Sequence, residues 1–225
     1  SLTERKAGKA LWLFTLPLLA SSIFQQLYNI ADTVIVGQFV GEGALAAVGA
    51  SYPITMIFTA IAMGCNIGCS VIISQLYGAG KKAQMKTAIS TSFIAFTALA
   101  LLLTGLGLAL AVPLMRMLGT PTDVFDDSVV YLNIYIVGMA FVFLYNIATG
   151  IFTAFGDSKT PLVFLIISSV TNIGLDLLFV CVFHWGVGGA AWATVIAQGL
   201  ASIGCIFVLL VRLRHIETSE PSPAF

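Results

Sequence analysis

Charged residues are scarce in this chain. They make up 9% of its 225 residues, against roughly 25% in an average soluble domain. The ten basic and ten acidic residues cancel to a net charge of zero, so no overall field attracts nucleic acid. Hydrophobic residues make up 59% of the chain, and the mean hydropathy is +1.02. The composition excludes a soluble enzyme, a nucleic-acid-binding protein and a disordered linker, and predicts an integral membrane protein.

Residues that ligate soft metals or act as nucleophiles are also few. The two histidines, His184 and His215, have no partner at a metal-ligand spacing. No phosphate-binding G-x-x-x-x-G-K-[ST] loop occurs, and no Ser–His or Cys–His arrangement suggests a nucleophile. We therefore expect no enzyme activity and no cofactor. All four cysteines lie in apolar runs, which excludes a secreted disulfide scaffold: Cys65, Cys69, Cys181 and Cys205.

Long apolar runs are what the chain does contain. Runs of about 20 residues predict membrane-spanning helices, and six occur, at residues 11–36, 45–76, 88–112, 129–155, 162–183 and 188–211. The predicted fold is all-α and polytopic, with one membrane lobe over residues 1–214. The composition changes sharply in residues 215–225, which predicts a polar tail or linker.

The basic residues predict an orientation. With six spans, nine of the ten lysines and arginines fall on one side of the membrane, and only Arg116 falls on the other. The positive-inside rule then places both termini in the cytoplasm. No organelle-type leader is recognisable, so we expect a bacterial plasma membrane.

Two acidic residues lie inside predicted spans, Asp32 in the first and Asp176 in the fifth. A carboxylate at this depth costs several kcal/mol unless it is paired, solvated or protonated, and no span contains a Lys or Arg. From the helical rise, Asp32, Asp176 and Thr194 lie about 8, 10 and 9 Å below the outer ends of their helices. We predict a proton or cation site at this depth. The alternative is that each acid is simply protonated and hydrogen-bonded within the bundle.

Asn172 lies one turn before Asp176 on the same helical face. Together with Asp32 and Thr194 these residues offer hard oxygen ligands, without sulfur or imidazole, which argues against zinc and copper. The expected ligand is either sodium or a proton. Sodium would bind at Asp32, Asn172, Asp176 and Thr194, a proton would bind to the carboxylates, and the residue types do not distinguish the two.

Further polar side chains form stripes at helical spacing. Lipid cannot hydrogen-bond them, so they should face inward and line a cavity, unless they only hold the helices together. Pro17 interrupts the first span and predicts either a hinge or a static bend. The expected lining residues are Gln25, Tyr28, Asn29, Tyr135, Met139, Asn146, Thr149 and Gln198.

Several segments resemble the multidrug and toxic compound extrusion (MATE) family, within the MOP flippase superfamily. They are LYNIADTVIVGQFVGEGALAAVGASYP at 27–53, ISQLYGAGKK at 73–82, FGDSKTP at 155–161, TNIGLDLLFV at 171–180 and GVGGAAWATVIAQG at 186–199. The resemblance implies the N-terminal six-helix lobe of a twelve-helix antiporter. Such a protein exports organic, often cationic and aromatic compounds, driven by a sodium or proton gradient.

The resemblance also implies residue roles. Asp32 is similar to the family's essential first-helix acid, and Pro17 to the proline at which that helix is proposed to bend. The other side chains of the family's cation site correspond to Asn172, Asp176 and Thr194, with the carbonyl of Ala190 beside them.

The second lobe of the family has no counterpart in this chain. The expected partners are therefore the lipid bilayer, small organic substrates, and either a C-terminal lobe or a second copy of the chain; we favour a fragment over a natural half-transporter. Two alternatives remain open: a lipid-linked oligosaccharide flippase, although its pyrophosphate would call for basic residues in the spans, and a non-transporting membrane scaffold.

Overall fold

The computed structural model describes the backbone of residues 7–214 and the side chains of residue 12 and residues 15–214. Within this part of the chain all regular structure is helical. The predicted tail at 215–225 lies outside the described residues. The elements are α1 (Ala7–Phe39), α2 (Glu42–Gly78), α3 (Lys82–Met117), α4 (Phe125–Val137), α5 (Met139–Ala154), α6 (Lys159–Asp176), a π-helical segment (Leu177–Val182, the π turn) and α7 (Gly186–Arg214).

Four of these elements are long and apolar enough to cross a membrane: α2, α3, α6 with the π turn, and α7. The bent pair α4–α5 makes a fifth span if it is counted as one. The first predicted span lies within α1, which has 33 residues and is long enough to cross, but is not among the four. Its second half carries Gln25, Asn29 and Asp32. The described residues thus form a polytopic helical membrane protein, as the sequence predicts.

The outer surface of the bundle is apolar. On α3, for example, Ile94 is 70% exposed and Leu101 is 61% exposed. A water-soluble protein rarely exposes so continuous an apolar surface, whereas lipid accepts it. The side chains that pack between helices range from alanines, such as Ala62 and Ala100, to phenylalanines, such as Phe143.

The fourth predicted span, 129–155, is not one straight helix. Its two parts, α4 and α5, meet at Gly138 with a bend of 45°. A side chain at position 138 would overlap the side chain of Val195 on α7. Glycine at position 138 therefore lets α7 come close to the bend.

The fifth predicted span, 162–183, also changes its geometry. It is α-helical to Asp176 and π-helical from Leu177 to Val182. Within and just beyond the π turn the amide of Phe183 donates to the carbonyl of Leu178 (3.0 Å), and that of Trp185 donates to the carbonyl of Phe179 (2.9 Å). His184 follows with a φ of 55°. π-helical segments are rare and frequently lie at functional sites.

Candidate functional site

A cavity of about 740 Å³ opens on the polar faces of the helices. Its walls come from α1, α2, α4, α5, α6 and α7. Asp32 is the one charged residue among the lining residues that the structure describes. Eight residues with predicted site or lining roles line it together with Asp32: Gln25, Tyr28, Asn29, Tyr135, Asn146, Thr149, Thr194 and Gln198.

Met139 does not line the cavity, and that prediction is wrong. Its side chain is completely buried and packs in an apolar cluster with Leu132, Ile136 and Phe143. Met139 begins α5 directly after the bend at Gly138. Tyr135 packs against the same cluster but also reaches the cavity, whereas Met139, beyond the bend, lies wholly inside the cluster.

Asp32 and Asp176 face each other from α1 and α6, close enough for their carboxyl groups to share a hydrogen bond. Asp176 is fully buried. Oδ1 of each aspartate is buried, and among the described residues no donor outside the pair reaches it. Two carboxylates this close repel each other unless a proton or a cation lies between them. The arrangement therefore suits a site for a positive charge.

Asn172 connects this pair to α7. With its amide nitrogen turned toward Asp176, Nδ2 lies 2.9 Å from Asp176 Oδ2, and the side-chain oxygen accepts from the amide of Thr194 (3.1 Å). That orientation satisfies both ends of the amide. Asn172 is 1% exposed, so a buried network fixes the position of Asp176 Oδ2.

Thr194 and Ala190 form the α7 wall of the same site. The Thr194 hydroxyl lies 3.2 Å from the carbonyl oxygen of Ala190 and can donate to it. All four predicted cation-site side chains, and the predicted carbonyl, are thus neighbours. Their role as ligands stays a prediction.

Two tyrosines lie near the carboxylate pair, and one of them, Tyr131, was not predicted from the sequence. The Tyr28 hydroxyl lies within hydrogen-bonding reach of Thr194. Tyr131 lies near both aspartates and stacks on Tyr135 with ring centroids 6.3 Å apart. Tyr131 precedes Tyr135 by four residues, so the helical spacing that indicates Tyr135 could also have indicated Tyr131.

The contribution of α2 to the cavity was also missed. Tyr52, Thr59 and Asn66 line the cavity. The Thr59 hydroxyl is 3.4 Å from the Tyr135 hydroxyl, and Asn66 Nδ2 donates to Thr149 Oγ1 at 3.3 Å. These three residues are spaced by seven, which is two helical turns, so their common face was a usable signal.

The donor set fits a monovalent cation or a proton better than a divalent metal. Among residues 7–214, no three His, Cys, Asp or Glu side chains cluster in a way that could hold a metal ion. Two carboxylates, an amide oxygen, a hydroxyl and a carbonyl offer hard oxygens but little negative charge. Sodium or a proton matches that set.

A family model described as MatE matches residues 17–178, more than half of the chain. The chain belongs to the MatE family. The family's relatives include the probable multidrug resistance protein YoeA of Bacillus subtilis (strain 168), which is 33% identical over 220 residues, covering 94% of this chain and 47% of YoeA. The FAD transporter of Shewanella oneidensis is 27% identical over 221 residues, covering 93% of this chain and 47% of that protein.

The fold of this MatE chain is also that of solved MATE transporters. A crystal structure of a MATE mutant matches with a TM-score of 0.88 at 27% identity, covering 96% of this chain and 48% of that one. The chain thus spans about half the length of the relatives it matches. It is a helical membrane protein of a multidrug efflux transporter family.

Pro17 lies inside α1, which is helical on both sides of it. The Ser21 hydroxyl donates to the Pro17 carbonyl at 2.9 Å, a local bond of the kind that often accompanies a helix bend. Its predicted role as a hinge in this MatE lobe stays a prediction.

Proposed function

We propose that this chain is the N-terminal lobe of a cation-coupled exporter of organic compounds. The observation that carries the proposal is the carboxylate pair: Asp32 is the one charged group in the described cavity lining, and it faces the buried Asp176. A buried acid pair without a basic partner is a place for an exchangeable positive charge.

Coupling follows from competition for Asp32. A sodium ion or a proton on the pair neutralises the negative charge that faces the cavity. A positively charged substrate in the cavity is attracted to the same carboxylates. The coupling ion and the substrate thus favour different conformations of the lobe, which is the thermodynamic requirement for exchanging one for the other.

The described cavity wall favours organic cations with aromatic or apolar parts. Tyrosine rings attract cations at their faces, and five tyrosines line the cavity: Tyr28, Tyr52, Tyr131, Tyr135 and Tyr145. No Lys, Arg or His is among the lining residues described. This wall therefore offers no counter-charge for a diphosphate, which disfavours a lipid-linked oligosaccharide flippase and a dinucleotide carrier.

Export requires a second half. Alternating access moves one repeat of a transporter against another around a central site. The partner of this lobe is a C-terminal lobe or a second copy of the chain, in a bacterial plasma membrane with both termini in the cytoplasm. No cofactor is needed, because the coupling ion supplies the driving force.

Cation binding is tested by carbodiimide labelling, because carbodiimides modify protonated carboxyl groups in apolar surroundings. We expect Asp32 and Asp176 to be labelled, with sodium lowering the labelling at constant pH if sodium is the guest. If a proton is the guest, labelling falls as the pH rises and sodium has no effect. Peptide mass spectrometry of the labelled chain in nanodiscs gives both readouts. Labelling that neither ion changes would indicate a scaffold and contradict the proposal.

Asp32→Asn removes the charge and keeps the size of the side chain. We expect it to weaken cation protection of Asp176 by at least about tenfold, the effect of about one pKa unit of lost interaction. The matched control is Asp126→Asn, an exposed acid in the first turn of α4, which should leave protection unchanged. In the two-lobe transporter, Asp32→Asn should abolish gradient-driven dye export; undiminished export would remove Asp32 from the mechanism.

A further inference from the structure

Two neighbouring glycines at the start of α7 differ sharply in the space beside them. A Cβ atom on Gly189 would lie 3.1 Å from Trp185 Cβ, 3.2 Å from Phe179 Cβ and 3.3 Å from the backbone carbonyl carbon of Phe179. These atoms belong to or adjoin the backbone, so no side-chain rotation can move them away. A Cβ on Gly188 would meet only side-chain ends, Ile134 Cδ1 at 3.6 Å and Val130 Cγ1 at 3.7 Å, which is ordinary contact.

The segment that packs on Gly189 is the π turn, and the π turn begins directly after Asp176. Its residue Val180 lies in one buried cluster with Ile35 and Val36 of α1, three and four residues after Asp32, and with Ala190 of α7. The π turn therefore fills the space between the helix that carries Asp32 and the helix that carries Thr194. A shift of the π turn must move it relative to both.

The outer end of the π turn is the firmly held end. The amide of Trp185 bonds to the carbonyl of Phe179, and the two rings stack with centroids 4.8 Å apart. Phe183 stacks on Phe179 as well, at 6.1 Å. A side chain at position 189 would crowd Phe179, and Phe179 is joined to Asp176 through only two residues, so a displacement of Phe179 reaches Asp176.

We propose that Gly189 is a positioning residue for Asp176: its missing side chain admits the π turn against α7, and the position of the π turn sets where the Asp176 carboxylate stands relative to Asp32. This inference rests on the proposed cation site. Gly189 itself contacts no ligand, and it acts through Phe179 and the π turn. Titratable groups described as facing Asp176 are Asp32 and Tyr28 on α1 and Tyr131 on α4, and none of them touches Gly189 in the contacts above.

The test is cation protection of Asp176 in Gly189→Ala against Gly188→Ala. Each variant adds one methyl group to the same helical turn, and alanine favours a helix equally at both positions. Gly189→Ala should shift the sodium concentration for half-protection by about tenfold, since displacements well below 1 Å already degrade a preorganised site. If labelling of the unmutated protein depends on pH rather than on sodium, the pH at which Asp176 is half-labelled should shift by about one unit in Gly189→Ala, which is again a tenfold change in ion concentration. Gly188→Ala should stay within about twofold of the parent.

A second pair of variants covers the case in which Gly189→Ala does not fold. Trp185 is 54% exposed and Trp192 is 38% exposed, so replacing either leaves the core closed. Trp185→Leu removes the stacking on Phe179. It should shift the ion concentration at which Asp176 is half-protected by at least about threefold, the effect of losing an aromatic pair. Trp192→Leu, on α7 and without a ring contact among the described residues, should not shift it.

The outcomes separate the two proposals. Cation protection in the parent, with Gly189→Ala or Trp185→Leu shifted and their controls unshifted, supports the positioning role. Protection in the parent, with shifts no larger than those of the controls, overturns the positioning role and leaves the cation site intact. Labelling in the parent that responds to neither sodium nor pH overturns both.

Discussion

At the scale of single residues, Asp157 joins three helix ends on the side predicted to be cytoplasmic. Its Oδ1 accepts from the amides of Lys159 and Thr160 at 3.1 Å each, which caps the first turn of α6. Its Oδ2 accepts from the guanidinium of Arg212, near the end of α7, at 2.6 Å. The Arg212 guanidinium also lies over the rings of Phe152 and Phe155 at the end of α5.

Acid should weaken this contact. Burial alone raises the pKa of Asp157, but the hydrogen bonds from Thr160 and the charge and hydrogen bond of Arg212 outweigh it, so the pKa lies below its ordinary value. A lowered folded-state pKa contributes stability above the unfolded value of about 3.9 and loses it as the pH falls through the folded value. We expect the apparent melting temperature in detergent to fall below about pH 4, and to fall less steeply in Asp157→Asn.

Asp157→Asn keeps an oxygen that can cap α6 but loses the ion pair. At neutral pH its cost should stay near 1 kcal/mol or less, because Arg212 is 42% exposed and solvent screens the pair. Asp123→Asn, an exposed acid in the turn before α4, is the control and should titrate like the parent. A parent and an Asp157→Asn variant with identical acid profiles would contradict the expected role of Asp157.

Single residues were the most predictable part of the candidate site. Asp32 and Asp176 stand out in sequence because an acid in an apolar run is expensive whatever its neighbours are. Tyr131 lies one helical turn before Tyr135 on α4 and could have been predicted from the same spacing, whereas Met139 lies beyond the bend between α4 and α5 and is buried. Most lining roles could be predicted too, because polar side chains at helical spacing avoid lipid, whereas the burial of Met139 needs the tertiary structure.

At the scale of elements, α2 and α5 pack closely because position 150 has no side chain. A Cβ atom on Gly150 would lie 2.7 Å from Asn66 Oδ1 and 3.0 Å from the backbone oxygen of Asn66. The same approach lets Asn66 reach Thr149 across the interface. Gly150 thus supports both the packing and one polar wall of the cavity.

Gly150→Ala should destabilise the lobe by about 1–3 kcal/mol, the usual cost of overpacking, although alanine is the better helix former by about 1 kcal/mol. Gly105→Ala on α3 is the matched control, because no atom lies within 4 Å of its would-be Cβ. We expect the apparent melting temperature to fall for Gly150→Ala and to stay or rise for Gly105→Ala. Equal responses would show that α2 and α5 can separate without cost.

The long helices could be predicted from the sequence, and their interruptions could not. Runs of apolar residues fix where a span lies, because the bilayer demands about 20 of them. The bend at Gly138 and the π turn both lie against α7, where glycine at positions 138 and 189 leaves room for Val195 and Phe179. Hydropathy along one segment contains no information about what packs against it.

At the scale of the whole molecule, the distribution of basic residues predicts one orientation in the membrane. Lys81 and Lys82 lie at the turn between α2 and α3, Lys159 begins α6, and Arg212 and Arg214 end α7. Arg116, at the end of α3, lies at the opposite end of that helix from Lys82.

Fusion reporters test this orientation. Alkaline phosphatase is active only outside the cytoplasm, so a fusion after Arg214 should be inactive and a fusion after Gly119, in the turn between α3 and α4, should be active. A green fluorescent protein fused at the same two positions should give the reverse pattern. The opposite result at both positions would invert the predicted topology.

The contact between Gly150 and Asn66 also limits how the family can vary in sequence. A larger residue at position 150 is compatible with this packing only if the residue at position 66 becomes smaller or α2 is displaced. Substitutions at the two positions should therefore be inherited together rather than independently. Lineages that lose the glycine should lose the asparagine as well, together with the polar wall it forms with Thr149.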